Sequence, residues 1–372
     1  MKRHPKFFAT ILMWVAFGFA CADFPEEDTL IVLGEKSAGH PRPKWIWSVP
    51  PGTEAFRYRL NNNAWTIVDP SVNAYFAETD FEEGMYRFEV QARKGLVWSS
   101  SAVYETVVEY FRKTGFFDGI KRNVALSPQN HPVGMACHNC YVTIESISTA
   151  NLVHTREKLN TAQNAGADFL ELDVKFEQGE WYVEHNDAGM VHGALFANVL
   201  ADDKLKNGSE ILFIEIKETS PTYDSIRALI RAIVEKGYAV NGRPVVLRSF
   251  YQMKGNIQLA KEILDSGEFF LNQHYFRLSI LFTLAQSSAW SNPYGWMDEV
   301  RAFGVTLVEF DVRSGNLNAL IAFARSRHLG VALWTLPSDF GGIYCSRFKN
   351  SADIMITEYP VGTCRNIVED VQ

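Results

Sequence analysis

The chain has no surplus of positive charge. Its 372 residues carry 36 Lys and Arg against 43 Asp and Glu, a formal net charge of −7, which argues against a general nucleic-acid binder. It has no long apolar run either: the uncharged stretch Phe7–Phe19 is short for a helix that spans a bilayer. Cysteine is scarce, five in all. The C-x-x-C of Cys137-His138-Asn139-Cys140 has no second C-x-x-C or H-x-x-x-H beside it, so neither a zinc site nor a thioredoxin-like centre is indicated. A disulfide or two buried thiols explains that pair as well. From Trp45 to about Tyr110 a helical period is missing.

What is present is ordinary globular material, 47% hydrophobic and 21% charged, in a length that suits two or three domains. Met1–Ala22 reads as an export signal: Lys2, Arg3, His4 and Lys6, then the apolar run, then small residues Ala20-Cys21-Ala22. The expected location is exported: periplasmic, outer-membrane-anchored or secreted. In that setting Cys345 and Cys364 are expected to pair. Residues 40–110 alternate in short segments between turns, Tyr86–Ala92 most clearly, and this spacing predicts a small all-β sandwich. Trp45, Trp47 and Trp65 are expected to be exposed and would suit it to sugar binding; a spacer or adhesion module is the plainer role.

Residues 123–368 read differently. Apolar strand-like runs are predicted at Val133–Cys137, Phe169–Val174, Ile211–Ile216 and Val245–Ser249, then at Phe269–Leu271, Val305–Phe310, Gly330–Trp334 and Asp353–Thr357. Helical stretches fit between most of them, and Asn272–Asn292 is expected to be an extra loop and helix. Eight such runs predict an α/β fold, a (β/α)8 TIM barrel, with a doubly wound sheet as the rival. Residues two apart on a strand share a face. Glu171 and Asp173 therefore lie together, opposite Leu170, Leu172 and Val174, and a turn and the strand Trp181–Val183 then lead to His185. Buried like charges need a cation or a hydrogen-bond network. Polar residues recur where apolar strands end: His138-Asn139, Glu215-Ile216-Lys217, Glu309-Phe310-Asp311, Trp334-Thr335, Thr357-Glu358. In a barrel that is the catalytic face.

The ordered series Ala136-Cys137-His138-Asn139, Gly166–Val174, Tyr182–Asp187, Ile214–Lys217, Leu247–Phe250, Leu333–Thr335 and Asp353–Pro360 resembles the glycerophosphodiester phosphodiesterase family, among the phospholipase-C-like barrels. The sandwich segment similarly resembles fibronectin type III or immunoglobulin-like modules, and Gly18-Phe19-Ala20-Cys21 resembles a bacterial lipobox with Cys21 as the lipidated residue. The family resemblance implies a metal-dependent phosphoric diester hydrolase acting on glycerophosphodiesters or (lyso)phospholipid head groups, with contact to a membrane surface. Glu171, Asp173 and Glu215 would hold Ca²⁺ or Mg²⁺ by oxygen ligands. His138 and His185 would be the acid and base, with Lys217, Asn139 and Trp334 near the phosphate or substrate. The family's Arg after the first His is Asn139 here, its Asp after the second His is Asn186 followed by Asp187, and Glu358 stands where Asp is usual. Arg248 is a substitute phosphate donor unless it faces outward. Two other readings stand beside this one: an inactive barrel that binds a phosphorylated ligand, and a metal-free phospholipase C acting on inositol lipids.

Overall fold

The computed structural model describes residues 29–34, 37–38, 42–79, 81–82, 84–108, 133–140, 152–184, 193–240, 243–269, 271–288, 291–337, 341–349, 351–358 and 360–368. Met1–Ala22, His185 and His192 lie outside them.

The C-terminal part is a closed barrel. Its strands are β1 Gly134–Cys137, β2 Phe169–Glu177, β3 Ile211–Ile216 and β4 Val245–Phe250, followed by β5 Phe276–Phe282, β6 Leu307–Asp311, β7 Gly330–Leu336 and β8 Ile354–Thr357. Neighbours pair in parallel in that order, and β1 pairs with both β2 and β8, Ala136 standing opposite Phe169 on one side and Ile356 on the other. That closure rules out the doubly wound sheet. Helices return the chain from strand to strand, Tyr223–Glu235, Gly255–Asp265, Pro293–Ala302 and Leu317–Ser326 among them.

The fifth strand is not Phe269–Leu271. Those residues flank a turn in which Phe269 is buried and Leu271 is 61% exposed. The strand is Phe276–Phe282, inside the stretch expected to be a loop and helix; its last five residues are all buried. The shorter apolar run drew the prediction because Arg277 and Ser279 interrupt the true strand, and Ser279 turns out to be an interior hydrogen-bond donor. Two C-terminal helices, Gly341–Phe348 and Val361–Val368, were also not foreseen; the disulfide Cys345–Cys364 joins them with Cα atoms 5.6 Å apart.

The period of two sorts each strand. Leu170, Leu172 and Val174 point out to the helices, whereas Phe169, Phe213, Val246, Leu307, Ala332 and Ile356 form an apolar floor inside. One step along the same strands, Glu171, Asp173, Glu215, Arg248 and Glu309 stand above that floor, each at most 3% exposed. The alternation thus sets a buried charged layer on an apolar one.

Residues 29–108 form two further sheets. One has Val32–Gly34, Lys44–Trp47 and Ala74–Phe76; the other has Ser37–Ala38, Ala102–Val108, Gly84–Lys94, Ala55–Leu60 and Thr66–Val68, with Val97–Trp98 on its edge. Pairing is antiparallel except between Ser37–Ala38 and Ala102–Val108. Trp45 and Trp47 are not exposed: both are fully buried, stacked on Phe88 between the sheets. Trp65 lies under Arg57 and Arg59, their guanidinium carbons 4.7 and 4.5 Å from the ring. No open aromatic platform for a sugar is formed by these three. The module meets the barrel where Lys44 donates to Gln273 Oε1 at 2.9 Å and pairs with Asp265. Gln273 precedes β5 and Asp265 ends a returning helix, so this junction lies at the end opposite the charged strand termini.

Candidate active site

Strand register builds the acidic centre. Asp173 on β2 stands opposite Glu215 on β3, and Glu215 stands opposite Arg248 on β4. Glu171, Asp173 and Glu215 each offer a carboxylate oxygen within 4.8 Å of the others. Two cations share the space. Lys217 Nζ lies 2.6 Å from Asp173 Oδ2 and 3.5 Å from Glu215 Oε1. Arg248 Nη1 pairs with Glu171 Oε1 and lies 3.3 Å from Glu215 Oε2, while its Nη2 is 2.9 Å from Glu309 Oε2. Arg248 also lies over the Phe213 ring at 4.6 Å.

Arg248 therefore faces inward, but beneath the carboxylates and only 1% exposed, where it braces them rather than meeting a phosphate. Glu309 is likewise not a rim residue. It is fully buried, accepts from Ser279 Oγ at 2.6 Å, and burial ahead of every other effect lifts its carboxyl to about 7. Burial and then the Asp173 charge also raise Glu215. Lys217 is pulled down by burial, but Asp173 and Glu215 outweigh it and hold the ammonium above its ordinary range.

Four buried carboxylates (Glu171, Asp173, Glu215, Glu309) face two cations, Arg248 buried and Lys217 partly buried, leaving two negative charges, or one with Glu309 protonated. A divalent cation matches that remainder. The donors suit a hard ion as well, being all oxygen. Glu171 receives Arg248 on one oxygen and the Asn139 N–H, at 2.6 Å, on the other, yet a carboxylate offers about four lone pairs, so coordination is still open to it. Glu215 Oε1 is buried and accepts no hydrogen bond among the described residues.

His138 and Asn139 sit just past β1. The disulfide Cys137–Cys140, Cα atoms 5.4 Å apart, closes the turn around them. Asn139 takes a left-handed φ of +48°, which Asn tolerates better than most side chains. The disulfide removes the thiolates that a structural metal on His138 would need. His138 N–H donates to Thr357 O at 3.0 Å, fixing the turn to β8, and its Nδ1 lies 3.2 Å from Glu358 Oε1. Burial lowers the imidazole pKa, but Glu171, then the Glu358 hydrogen bond, then Asp173 raise it net above 6.5. The same hydrogen bond lowers Glu358.

On the return strand Glu180–Val183, Glu184 N–H donates to Asp173 O at 2.9 Å. His185 follows it, outside the described residues. Trp334 on β7 is half-buried over the apolar floor, edge-on to Phe250 at 5.7 Å. Sequence reasoning passed over Arg313. Its side chain is 64% exposed, its Nε lies 2.8 Å and its Nη2 2.5 Å from the Asp311 carboxylate that ends β6, and its charge acts on Glu358. The pattern Asp311-Val312-Arg313 at a strand end was the available signal. His138, Glu171, Asp173, Glu215 and Lys217 thus share one end of the barrel, with Asn139 and Trp334 beside them.

No protein-family model matches the chain, and no curated protein sequence does. Among solved structures it is similar to a glycerophosphoryl diester phosphodiesterase from Silicibacter pomeroyi (16% identity, 69% of this chain and 97% of that one, TM-score 0.46). It is also similar to a glycerophosphodiester phosphodiesterase from Agrobacterium tumefaciens (17%, 62% and 97%, TM-score 0.42). Tryptophan synthase from M. tuberculosis scores alike (12%, 64% and 93%, TM-score 0.42).

Proposed function

We propose that the chain is a phosphoric diester hydrolase dependent on a divalent cation, Ca²⁺ or Mg²⁺, held by Glu171, Asp173 and Glu215. The observation that carries this reading is the convergence of those three buried carboxylates, within 4.8 Å of one another, at the barrel end that also holds His138 and Lys217. Once bound, the cation supplies Lewis-acid neutralisation of a phosphoryl oxygen.

The chain's own groups do the rest. Lys217 presents positive charge at the carboxylates and stabilises the negative charge that grows on the phosphoryl oxygens. Glu171 and Glu358 raise the His138 imidazole above its ordinary range and so favour its protonated form, and the Glu358 carboxylate at Nδ1 orients the ring so that Nε2 can protonate the leaving alcohol. His185 is assigned the complementary role, taking the proton from water or from a neighbouring substrate hydroxyl; this rests on the motif alone. Arg313, exposed and aimed by Asp311, offers the forked donor that Asn139 cannot, and meets a second anionic oxygen of the substrate. Trp334 gives the apolar wall for the alcohol portion.

Glycerophosphodiesters or lysophospholipid head groups are the proposed substrates. Two disulfides support an oxidising, exported location, in line with Met1–Ala22. Residues 40–110 are read as a fibronectin type III-like spacer. Phosphorus NMR on a mixture of glycerophosphodiesters and lysophospholipids, with Ca²⁺, Mg²⁺ or EDTA, tests the proposal. Monoester or cyclic phosphate should form with metal only and vanish in Glu171→Gln. Turnover in EDTA would favour the metal-free reading, in which Arg248 and Lys217 alone neutralise the centre; no turnover with any substrate would favour a binding barrel.

A further inference from the structure

The mouth of the barrel has two chemically different sides. Strands β1, β2 and β3 bring the charged groups His138, Glu171, Asp173, Glu215 and Lys217 to it. Strands β4, β5 and β7 end differently. On β4 the inward positions run Val246, Arg248, Phe250, because residues two apart share a face. Phe250 therefore stands one layer above Arg248. Its ring meets Trp334 of β7 edge-on at 5.7 Å, and since β4 and β7 are not neighbours in the barrel, this contact crosses the opening. On β5 Ser279 turns inward to Glu309, so Leu281, two residues on and paired with Phe250 in the register, faces the same way. Phe250, Leu281 and Trp334 thus make one apolar wall beside the acidic centre.

A wall that merely completed the core would be covered. Phe250 and Trp334 are only half-buried, and the apolar surface continues outward from them. Leu284, 42% exposed, follows β5 at this end, and Ile343, 68% exposed, lies in the first turn of the helix Gly341–Phe348 that follows β7. Exposed apolar surface that adjoins a few placed charges is the lining expected for a ligand of both characters. A phosphodiester of two small polar alcohols would leave this wall against water. A hydrocarbon chain would cover it, each buried methylene tightening binding about fourfold.

We infer that this wall is a subsite for the hydrocarbon chain of a single-chain phosphodiester lipid, whose phosphate lies at the carboxylate side of the mouth. The inference rests on the proposed phosphodiester site and narrows its substrate from glycerophosphodiesters to lysophospholipid-type molecules. The touching rings of Phe250 and Trp334 leave one narrow apolar face, which suits one chain rather than two.

Isothermal titration calorimetry on the full chain in EDTA is the test, comparing dodecylphosphocholine, kept below its micelle-forming concentration, with glycerophosphocholine. The two probes share phosphate and choline and differ in the chain. Dodecylphosphocholine should bind at least about a hundredfold more tightly, with hexylphosphocholine between them. Phe250→Ser should reduce that preference at least about tenfold. Leu284→Ser with Ile343→Ser, at exposed positions where little packing is lost, should also reduce it and covers the case in which Phe250→Ser folds poorly. Binding is read without turnover, so the two readings fail separately. A chain preference with no hydrolysis in the phosphorus NMR assay keeps the subsite and removes the hydrolase; hydrolysis with equal affinity for both probes does the reverse. No binding of dodecylphosphocholine, equal affinities, or a chain preference untouched by both sets of variants overturns the inference.

Discussion

Arg248 reaches from the fourth barrel strand to the sixth, its Nη2 2.9 Å from Glu309 Oε2, and in the opposite direction pairs with Glu171 on the second. This places a permanent cation under three carboxylates that the proposed metal would need from above. A buried pair adds little net stability when intact, yet removing one member exposes the other's uncompensated charge. Arg248→Met should therefore destabilise the fold by about 3–5 kcal/mol, read by chemical denaturation, and Arg248→Met with Glu309→Leu should recover part of the loss.

The same pair predicts a pH dependence. Burial raises Glu309 from 4.5 to about 7. A carboxyl raised on folding favours the protonated native state, so its contribution is complete below the unfolded value and lost as pH rises through the folded one. Stability should decline from about 4.5 to about 7, and Glu309→Gln should flatten that part of the curve in urea titrations at successive pH values.

Metal binding should be visible without turnover. A ligand that binds only the native state at a hundred times its Kd adds about 2.7 kcal/mol. Ca²⁺ or Mg²⁺ should raise the Tm of the chain, and Asp173→Asn or Glu215→Gln should abolish that rise while the metal-free Tm changes little. An equal shift in these variants would move the ion elsewhere.

His138 should titrate above 6.5 in metal-free protein, because Glu171 and Glu358 outweigh its burial. Glu358→Gln should lower the midpoint in proton–nitrogen NMR. Opening the turn with Cys137→Ser and Cys140→Ser should change stability by about 2 kcal/mol or less, since so short a loop restricts the unfolded chain little. Its larger effect should fall on turnover, where a displacement of about 1 Å can reduce the rate about a hundredfold.

Arg313→Gln should raise KM for a charged phosphodiester more than it lowers kcat, and Arg313→Lys should restore part of the difference. Equal effects on a neutral analogue would show that the guanidinium does not meet the substrate.

Much of the barrel was legible because its strands are buried on both faces and read as apolar runs between helical stretches. The fifth strand was missed where inward polar residues broke its run: Ser279 serves Glu309, a partner distant in sequence. Strand parity similarly put Glu171 beside Asp173, and the ordered motifs added Glu215. The bracing role of Arg248 was not legible, because it depends on reaching across two strands, which no local pattern records. Trp45 and Trp47 misled in the opposite direction. Large aromatics in a short strand suit either a platform or a core, and only the second sheet behind them decides.

The N-terminal module grips the barrel by its base, through Lys44, Asp265 and Gln273. The rim is thereby left to the loops that follow the strands. Those loops can lengthen, shorten or change chemistry without disturbing the grip below.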